Sequence, residues 1–484
     1  MKGFSREQLQ RIGFDYVMGL VDTRNCYGEE IKKNVVWYSD HDKRILSQQI
    51  RYLTQLIKFQ KSHPETVVQI RNILHRFKDI RGILRKIEKS EEHLDETELF
   101  EVKNFAIDLE YLLLEYNKAK LDLKTIRPFS TRKIIKLLNP DGHVTRTFAI
   151  YNTYSKKLTA LRKRKLEIEK QIQLCGGDRN LLLQKRVEIT IREKIEENLV
   201  KLALTYKLRK YIEKFKTNIR FIGELDFLLA RSDLAIRFDC SKPVFSDRKS
   251  IKANDIINPY VDNNLQNNWQ RFTPISITMK CGANVLTGAN MGGKTVALAT
   301  ITLNILLAHC GFFVFGKSLK LPIFDSIVYL SHDYQSIELG LSSFGAEVKE
   351  LTRLIHVMRR ERVFCALDEF AKGTNPEEGE ILVRAFLRLA EQYRTFALVS
   401  THFSGVLRKG MNHFQVVGLR NTDLSKFSAI NELPSPGMLQ QLMDYRIGKV
   451  GWNSLPPREA VRVAELMGIQ NEFLDLVKEN YQEK

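Results

Sequence analysis

Through the first half of the chain, apolar residues recur at steps of three and four. KRILSQQIRYLTQLIKFQ (43–60), ETVVQIRNILHRFKDIRGILRKIEK (65–89) and ETELFEVKNFAIDLEYLLLEYNKAKLDL (96–123) all carry this spacing, which sets an apolar stripe along one side of an α-helix. Helices of this kind are expected to pack as a bundle. Leu158, Leu161, Ile168 and Ile172 then form a heptad-like stripe, CGGD (175–178) supplies a turn, and Val187, Ile191, Ile195, Leu199 and Leu202 resume the stripe. That pattern predicts two long helices packed as an antiparallel coiled-coil hairpin, a projecting arm.

After residue 250 the pattern changes to short apolar runs between helical stretches: NVLTG (284–288), SIVYLS (326–331), VFCALDEF (363–370) and FALVSTHF (396–403). Strands alternating with helices predict an α/β domain with a mainly parallel sheet. Glycine and proline mark the same division. Nine of the 26 glycines precede residue 250, and no proline falls between Pro140 and Pro243. The expected fold is therefore multidomain: an all-α region over 1–150, the hairpin over 151–225, a return and linker over 226–250, and an α/β domain over 251–484 that closes in a helical segment.

Composition adds partners and compartment. A chain of 484 residues, 43% hydrophobic and 27% charged, exceeds what one core supports and has the apolar content to fill two or three. The formal net charge is +19. Residues 155–222 hold 19 Lys and Arg against eight Asp and Glu, a net +11 on the predicted hairpin. Such a surface attracts polyanions, nucleic acid above all, and a merely solvated helix face is the alternative. Cys26, Cys175, Cys240, Cys281, Cys310 and Cys365 include no Cys-x-x-Cys pair, which speaks against a zinc site or a disulfide framework and for a reducing cytoplasm. The N-terminal MKGFSREQLQRIGF has no continuous apolar core of a signal peptide. VALATITLNILLAHCGFFVF (296–315) is long enough to span a bilayer. A buried helix broken at Gly311 and followed by a buried strand accounts for it without a membrane.

The strand ends carry the candidate chemistry. TGANMGGKTVALAT (287–300) fits Gly-x-x-x-x-Gly-Lys-Ser/Thr from Gly288 to Thr295, between a predicted strand and a predicted helix. Gly288, Gly292 and Gly293 allow backbone N–H groups to turn inward around a phosphate, at a helix N-terminus whose partial charge is positive. The expected ligand is a nucleoside triphosphate, cradled by Gly288, Ala289, Asn290, Met291, Gly292, Gly293, Lys294 and Thr295. Lys294 would reach the β- and γ-phosphates, and the Thr295 hydroxyl would ligate Mg²⁺. VFCALDEF ends in Asp368, placed for the Mg²⁺ shell, and Glu369, placed to orient or deprotonate a water. FALVSTHF ends at His402, which could sense a γ-phosphate and bond the attacking water.

In their order these blocks resemble the MutS family of ATPases, relatives of the ABC-type ATPases. TGANMGGKT is similar to the family's TGPNMGGKS/T, and LSSFGAEVKEL (341–351) to its S-T-F-M-x-E-M element. LDEFAKGTNPEEG (367–379) is similar to its LDEIGRGTS-x-x-DG, and STHF (400–403) to its ATHY. The resemblance implies that Asn290 shapes the geometry of water and γ-phosphate, and that Phe272, in RFTPISI, stacks on adenine. It implies that Ser342 acts on the nucleotide of a partner subunit in a homodimer or related heterodimer, and that Gly373, Thr374 and Asn375 carry signals between the two sites. The first half resembles the family's core, lever and clamp, and 443–469 is similar, more loosely, to its closing helix-turn-helix contacts.

Departures from the family shape the expected function. Mismatch-reading members carry an N-terminal domain with a Phe-x-Glu wedge, a motif this sequence lacks, and the nicking class ends in a small nuclease domain. The expectation is an ATPase that neither reads mispairs nor cuts. Two readings remain open: a clamp on DNA that recognises structure such as branches, favoured by the basic hairpin, and an ATP-driven reactivase of a cobalamin-dependent aminomutase.

Overall fold

The computed structural model describes residues 4–89, 93–119, 127–142, 146–174, 178–267, 269–289, 293–331, 343–419, 443–454, 461, 464 and 469–482. The chain forms two compact units, one of Met1–Val21, Val35–Thr54 and Arg231–Lys484, the other of Asp22–Asn34 and Gln55–Ala230. It is helix-rich with mixed sheets.

The first unit is α/β. Its strands are β1 (Val244–Phe245), β2 (Ser250–Ile256), β3 (Ile275–Lys280), β4 (Gly282–Thr287), β5 (Ser318–Leu321), β6 (Ser326–Ser331), β7 (Val363–Asp368), β8 (Phe396–Ser400), β9 (Asn412–Gly418) and β10 (Asp444–Val450). Among the described residues a six-stranded sheet runs β10-β9-β4-β8-β7-β6, with β10 alone antiparallel. Strands β4, β7 and β8 are buried along their whole length. They therefore read as unbroken apolar runs, as parallel strands covered on both faces do. Val383, Phe386, Leu387 and Ala390 of helix Pro376–Gln392 bury against Val363, Cys365, Leu367, Ala397 and Val399 of the sheet.

Helix Lys294–His309 is buried on nearly every side, which explains the apolar run that follows Thr295. Among the described residues no helix is long and apolar enough to cross a membrane. The strand expected directly after Gly311 is absent: Val314 makes a single bridge to Ser241, and regular pairing begins at Ser318. A second sheet, β1-β5-β2-β3, lies outside the sequence-based expectation. Its β2 and β3 alternate buried and exposed positions, so they carry no continuous apolar run.

The N-terminal boundary also needs correction. Residues 1–150 read as one helical region, yet 1–21 and 35–54 belong to the α/β unit. Gln8 Nε2 donates to the Tyr329 carbonyl (2.7 Å), Arg11 to the Ser331 hydroxyl (2.8 Å), and Leu46 and Ile50 bury with Ile323. These contacts hold the two segments against the end of β6 and the chain around β5.

The second unit is helical. The stretch 65–89, expected as one helix, is two: Pro64–Leu74 and Arg81–Glu88. The Tyr27 hydroxyl donates to the Lys78 carbonyl (2.8 Å) and accepts the Ile80 N–H (3.1 Å), taking backbone groups that a continuous helix would pair internally. Helix Glu96–Lys118 starts at a capping box of Asp95 and Glu98.

Helices Lys156–Gln173 and Arg179–Arg209 pair antiparallel; Leu158 and Ile168 of the expected first stripe are buried, and ion pairs cross between the two helices. Arg162 reaches Glu193 (3.0 Å) and Glu197 (2.7 Å), Lys165 reaches Glu193 (2.7 Å), and Arg186 reaches Glu169 (2.8 Å). The expected second stripe is not the seam. Val187, Ile191, Ile195, Leu199 and Leu202 stay 48 to 57% exposed, while Ile189, Glu193, Val200 and Leu204 turn inward. The turn residues Cys175, Gly176 and Gly177 lie outside the described residues.

Candidate functional site

The parallel register brings three strand ends to one edge. Leu286 of β4 pairs with Ser400 of β8, and Asp368 of β7 pairs with the same Ser400, so the chain leaves all three strands together. In open α/β sheets this carboxyl edge is where ligands bind.

The turn after β4 enters helix Lys294–His309 through Gly293, which is left-handed (φ 82°). A side chain there would be strained and would meet the Tyr445 ring, 2.9 Å from an added Cβ. Lys294 is 4% exposed. Its Nζ donates to the carbonyls of Gly288 (2.9 Å) and Ala289 (3.1 Å) and lies 3.5 Å from Glu369 Oε1. Burial lowers the Lys294 pKa, and the Glu369 charge opposes that shift.

At the end of β7, Asp368 is buried and accepts the Ser400 hydroxyl proton (2.6 Å). Burial raises its pKa, while hydrogen bonds from Ser400 and Thr295 pull it down. Thr295 and Asp368 are thus brought together. They form a pair of hard oxygen donors of the kind Mg²⁺ accepts beside water and phosphate. Among the described residues no group of three or more His, Cys, Asp or Glu could hold a metal without such help.

Glu369 has a left-handed backbone (φ 48°), and its N–H donates to the Ser400 hydroxyl (3.0 Å). Burial would raise its pKa, but the Lys372 hydrogen bond (2.5 Å) and the charges of Lys294 and Lys372 outweigh burial and lower it. A non-glycine residue at positive φ stores strain, which packed surroundings must hold. Those surroundings include Glu347, buried, which accepts the Ala371 N–H (3.1 Å).

His402 is exposed, its ring centroid 4.5 Å from that of Phe403. Partial loss of water lowers its pKa against the pull of Glu369. Phe272 lines a cavity of about 510 Å³ together with Trp269, Gly293, Val296 and Tyr445. This cavity is apolar and adjoins the helix N-terminus. Asn375 caps helix Pro376–Gln392, accepting the Glu377 N–H (2.9 Å), and Thr374 bonds Glu378 (3.4 Å). Asn290, Met291, Gly292 and Ser342 lie outside the described residues.

Sequence reasoning missed four contributors. Ser400 stood in the STHF block with no role, although it joins Asp368 to Glu369. Lys372 stood in LDEFAKG, three residues after the glutamate it pairs with. Tyr445 approaches from β10, a strand with no long apolar run. His413 accepts the Thr287 hydroxyl proton at Nε2 (2.7 Å) and donates from Nδ1 to the Gly451 carbonyl (2.9 Å), tying the end of β4 to the segment after β10.

Comparison with known proteins falls on this unit. Residues 284–434 match the family model of MutS domain V. The chain is 29% identical over 220 residues to Endonuclease MutS2 of Acetivibrio thermocellus, covering 45% of this chain and 27% of that protein. It is 28% identical over 233 residues to Endonuclease MutS2 of Leuconostoc mesenteroides (48% and 28%), and 30% over 226 residues to that of Alkaliphilus oremlandii (45% and 27%). The match therefore spans under a third of each relative's length. The stretch that matches MutS domain V holds β4, β7 and β8, whose ends converge at the site.

Proposed function

We propose that this protein is an ATP-binding and ATP-hydrolysing dimer that acts as a switchable clamp on DNA. The observation that carries the reading is the meeting of Lys294, Thr295, Asp368 and Glu369 at the ends of β4 and β7. Lys294 binds the nucleotide's phosphates, Glu369 orients water and accepts its proton, and Ser400 holds the Asp368 carboxylate and the Glu369 backbone N–H. The charges of Lys372 and Lys294 that lower its pKa keep Glu369 ionised and able to accept a hydrogen bond from water. Asp368 and Thr295 would hold Mg²⁺, which when bound neutralises phosphate charge. Phe272 and Tyr445 offer aromatic walls for the base, and His402 and Asn290 attend the terminal phosphate. Ser342 is assigned to the site of the other subunit in the dimer. Such a switch moves only as far as ATP favours the closed over the open state.

DNA is assigned as the partner from the net +11 of residues 155–222 and from the relatives' names; the hairpin is the clamp. The cutting activity in those names is not carried over. The aminomutase client draws no support from these relatives. The deciding measurement is binding to labelled duplex and branched DNA across a salt series, with and without a non-hydrolysable ATP analogue. We expect affinity that falls steeply with salt and responds to the analogue. The Lys294→Ala protein should keep the salt slope and lose the nucleotide response. Weak binding indifferent to nucleotide would remove DNA as the partner.

A further inference from the structure

The second hairpin helix, Arg179–Arg209, turns its apolar side outward. Val187, Ile191, Ile195, Leu199, Leu202 and Tyr206 follow one another at steps of three or four and stay 48 to 72% exposed. They make one stripe about 29 Å long at ~1.5 Å of rise per residue. The opposite side is occupied, with Ile189, Glu193, Val200 and Leu204 buried. Single exposed apolar residues are ordinary on a protein surface, but a continuous row of this length marks a contact face.

The charges around the stripe select the occupant. Glu193, Glu196 and Glu197 are drawn into pairs with Arg162, Lys165 and Lys157 of the first hairpin helix. The edges of the stripe therefore fall to basic side chains. At helical spacing, Lys185 and Arg192 stand along one edge and Lys194 along the other, all exposed. The exposed Glu188 is neutralised by Arg192 one turn on (2.5 Å). A second copy of this helix would set lysine against lysine. A lipid surface takes a broad apolar arc, whereas this stripe is one ridge wide with Glu188 beside it.

We propose that this face docks an amphipathic helix of a partner protein whose apolar ridge is edged by Asp and Glu. Helix would pack on helix along the stripe, with acidic edges meeting Lys185 on one side and Lys194 on the other. Six half-exposed side chains offer less than the ~800 Å² that each side of a standard interface buries, so the contact is reversible and on the order of micromolar.

The test uses a fluorescein-labelled synthetic helix of about three heptads, with leucine on the ridge and glutamate on both edges. The full chain is titrated into it and anisotropy is read. A lysine-edged peptide and the Ile191→Glu/Ile195→Glu protein serve as comparisons. Glutamate is a good helix former at exposed positions, so the variant should keep its circular dichroism and its affinity for an ATP analogue. We expect saturable, salt-sensitive binding of the acidic peptide, at least about ten-fold weaker for the lysine-edged peptide and for the variant. Equal binding by the two peptides or by the two proteins, or no binding, overturns the proposal. A mass doubling of the chain that the variant abolishes gives the face to a second copy. Sedimentation with phosphatidylserine vesicles that the variant abolishes, without peptide binding, gives it to a membrane. Either result would also overturn the proposal.

Discussion

The strand ends of the α/β unit and the helical hairpin distribute polar and apolar groups in opposite ways. At the strand ends Lys294, Asp368 and Ser400 are buried, Lys294 held by the Gly288 and Ala289 carbonyls and Asp368 by the Ser400 hydroxyl. In the hairpin, ion pairs cross between the helices beside a few buried apolar residues, and a row of Val, Ile and Leu faces outward. An apolar strand ending in an acid constrains the fold strongly, since its flanks must be covered and its end must meet other strand ends. An apolar stripe on a helix says only that some surface will cover it. It does not say which.

If the buried polar groups of the α/β unit form a working site, the largest effect belongs to Glu369→Gln. It should lower ATP hydrolysis roughly 10²–10⁴-fold while nucleotide binding persists, and it should accumulate an ATP-loaded dimer visible by light scattering. Normal turnover with no added dimer would remove Glu369 from the chemistry.

A second effect tests burial itself, away from the site. His309 is fully buried; its Nδ1–H donates to the Ile305 carbonyl and its Nε2 accepts the Phe324 N–H (2.8 and 2.9 Å). Burial pushes its pKa down to about 4. The folded state therefore binds fewer protons than the unfolded state between about pH 4 and 6.5. Stability contributed by the neutral ring is full above 6.5 and is lost as pH falls toward 4, about 3 kcal/mol in all. Urea unfolding at several pH values should show this slope, and His309→Leu should flatten it. An unchanged slope in that variant would assign the acid sensitivity elsewhere.

Ser400→Ala probes the joint between the Asp368 carboxylate and the Glu369 backbone. It removes the hydroxyl that donates to Asp368 and accepts from the Glu369 N–H, at a cost of about 1–3 kcal/mol in stability. Turnover should fall roughly ten-fold, because a side chain that orients a ligating group is lost. Unchanged turnover with lowered stability would make Ser400 a packing residue only.

How much was legible follows the same contrast. β4, β6, β7 and β8 could be read within a residue or two at each start, because β4, β7 and β8 are buried along their whole length and β6 along most of it, so each carries a short apolar run. Asp368 and Glu369 stood at the end of one. The β1-β5-β2-β3 sheet was not legible: β2 and β3 are half-buried, and β1 pairs with a strand more than seventy residues away. Nothing in the amphipathic pattern of Leu46 and Ile50 names Ile323 as their neighbour. The helix break before Arg81 depends on Tyr27, fifty-one residues before Lys78. Pairings of that range are written in three dimensions and not in the local spacing.

The hairpin gives the smallest effects and the sharpest test of the contrast. If its seam is ionic, Glu193→Gln, which loses two charge-assisted partners in a partly exposed setting, should cost about 1 kcal/mol. Ile195→Ser, by contrast, removes a side chain that is already 56% exposed and should change stability by less than ~0.5 kcal/mol. Both variants are compared by thermal unfolding of the same chain at neutral pH. Were the ordering reversed, with the serine variant the costlier, the stripe would be covered in solution by something the isolated chain supplies, and the heptad reading of that helix would be restored. A costlier Glu193→Gln leaves the stripe bare until a partner arrives, which is the condition its docking role requires.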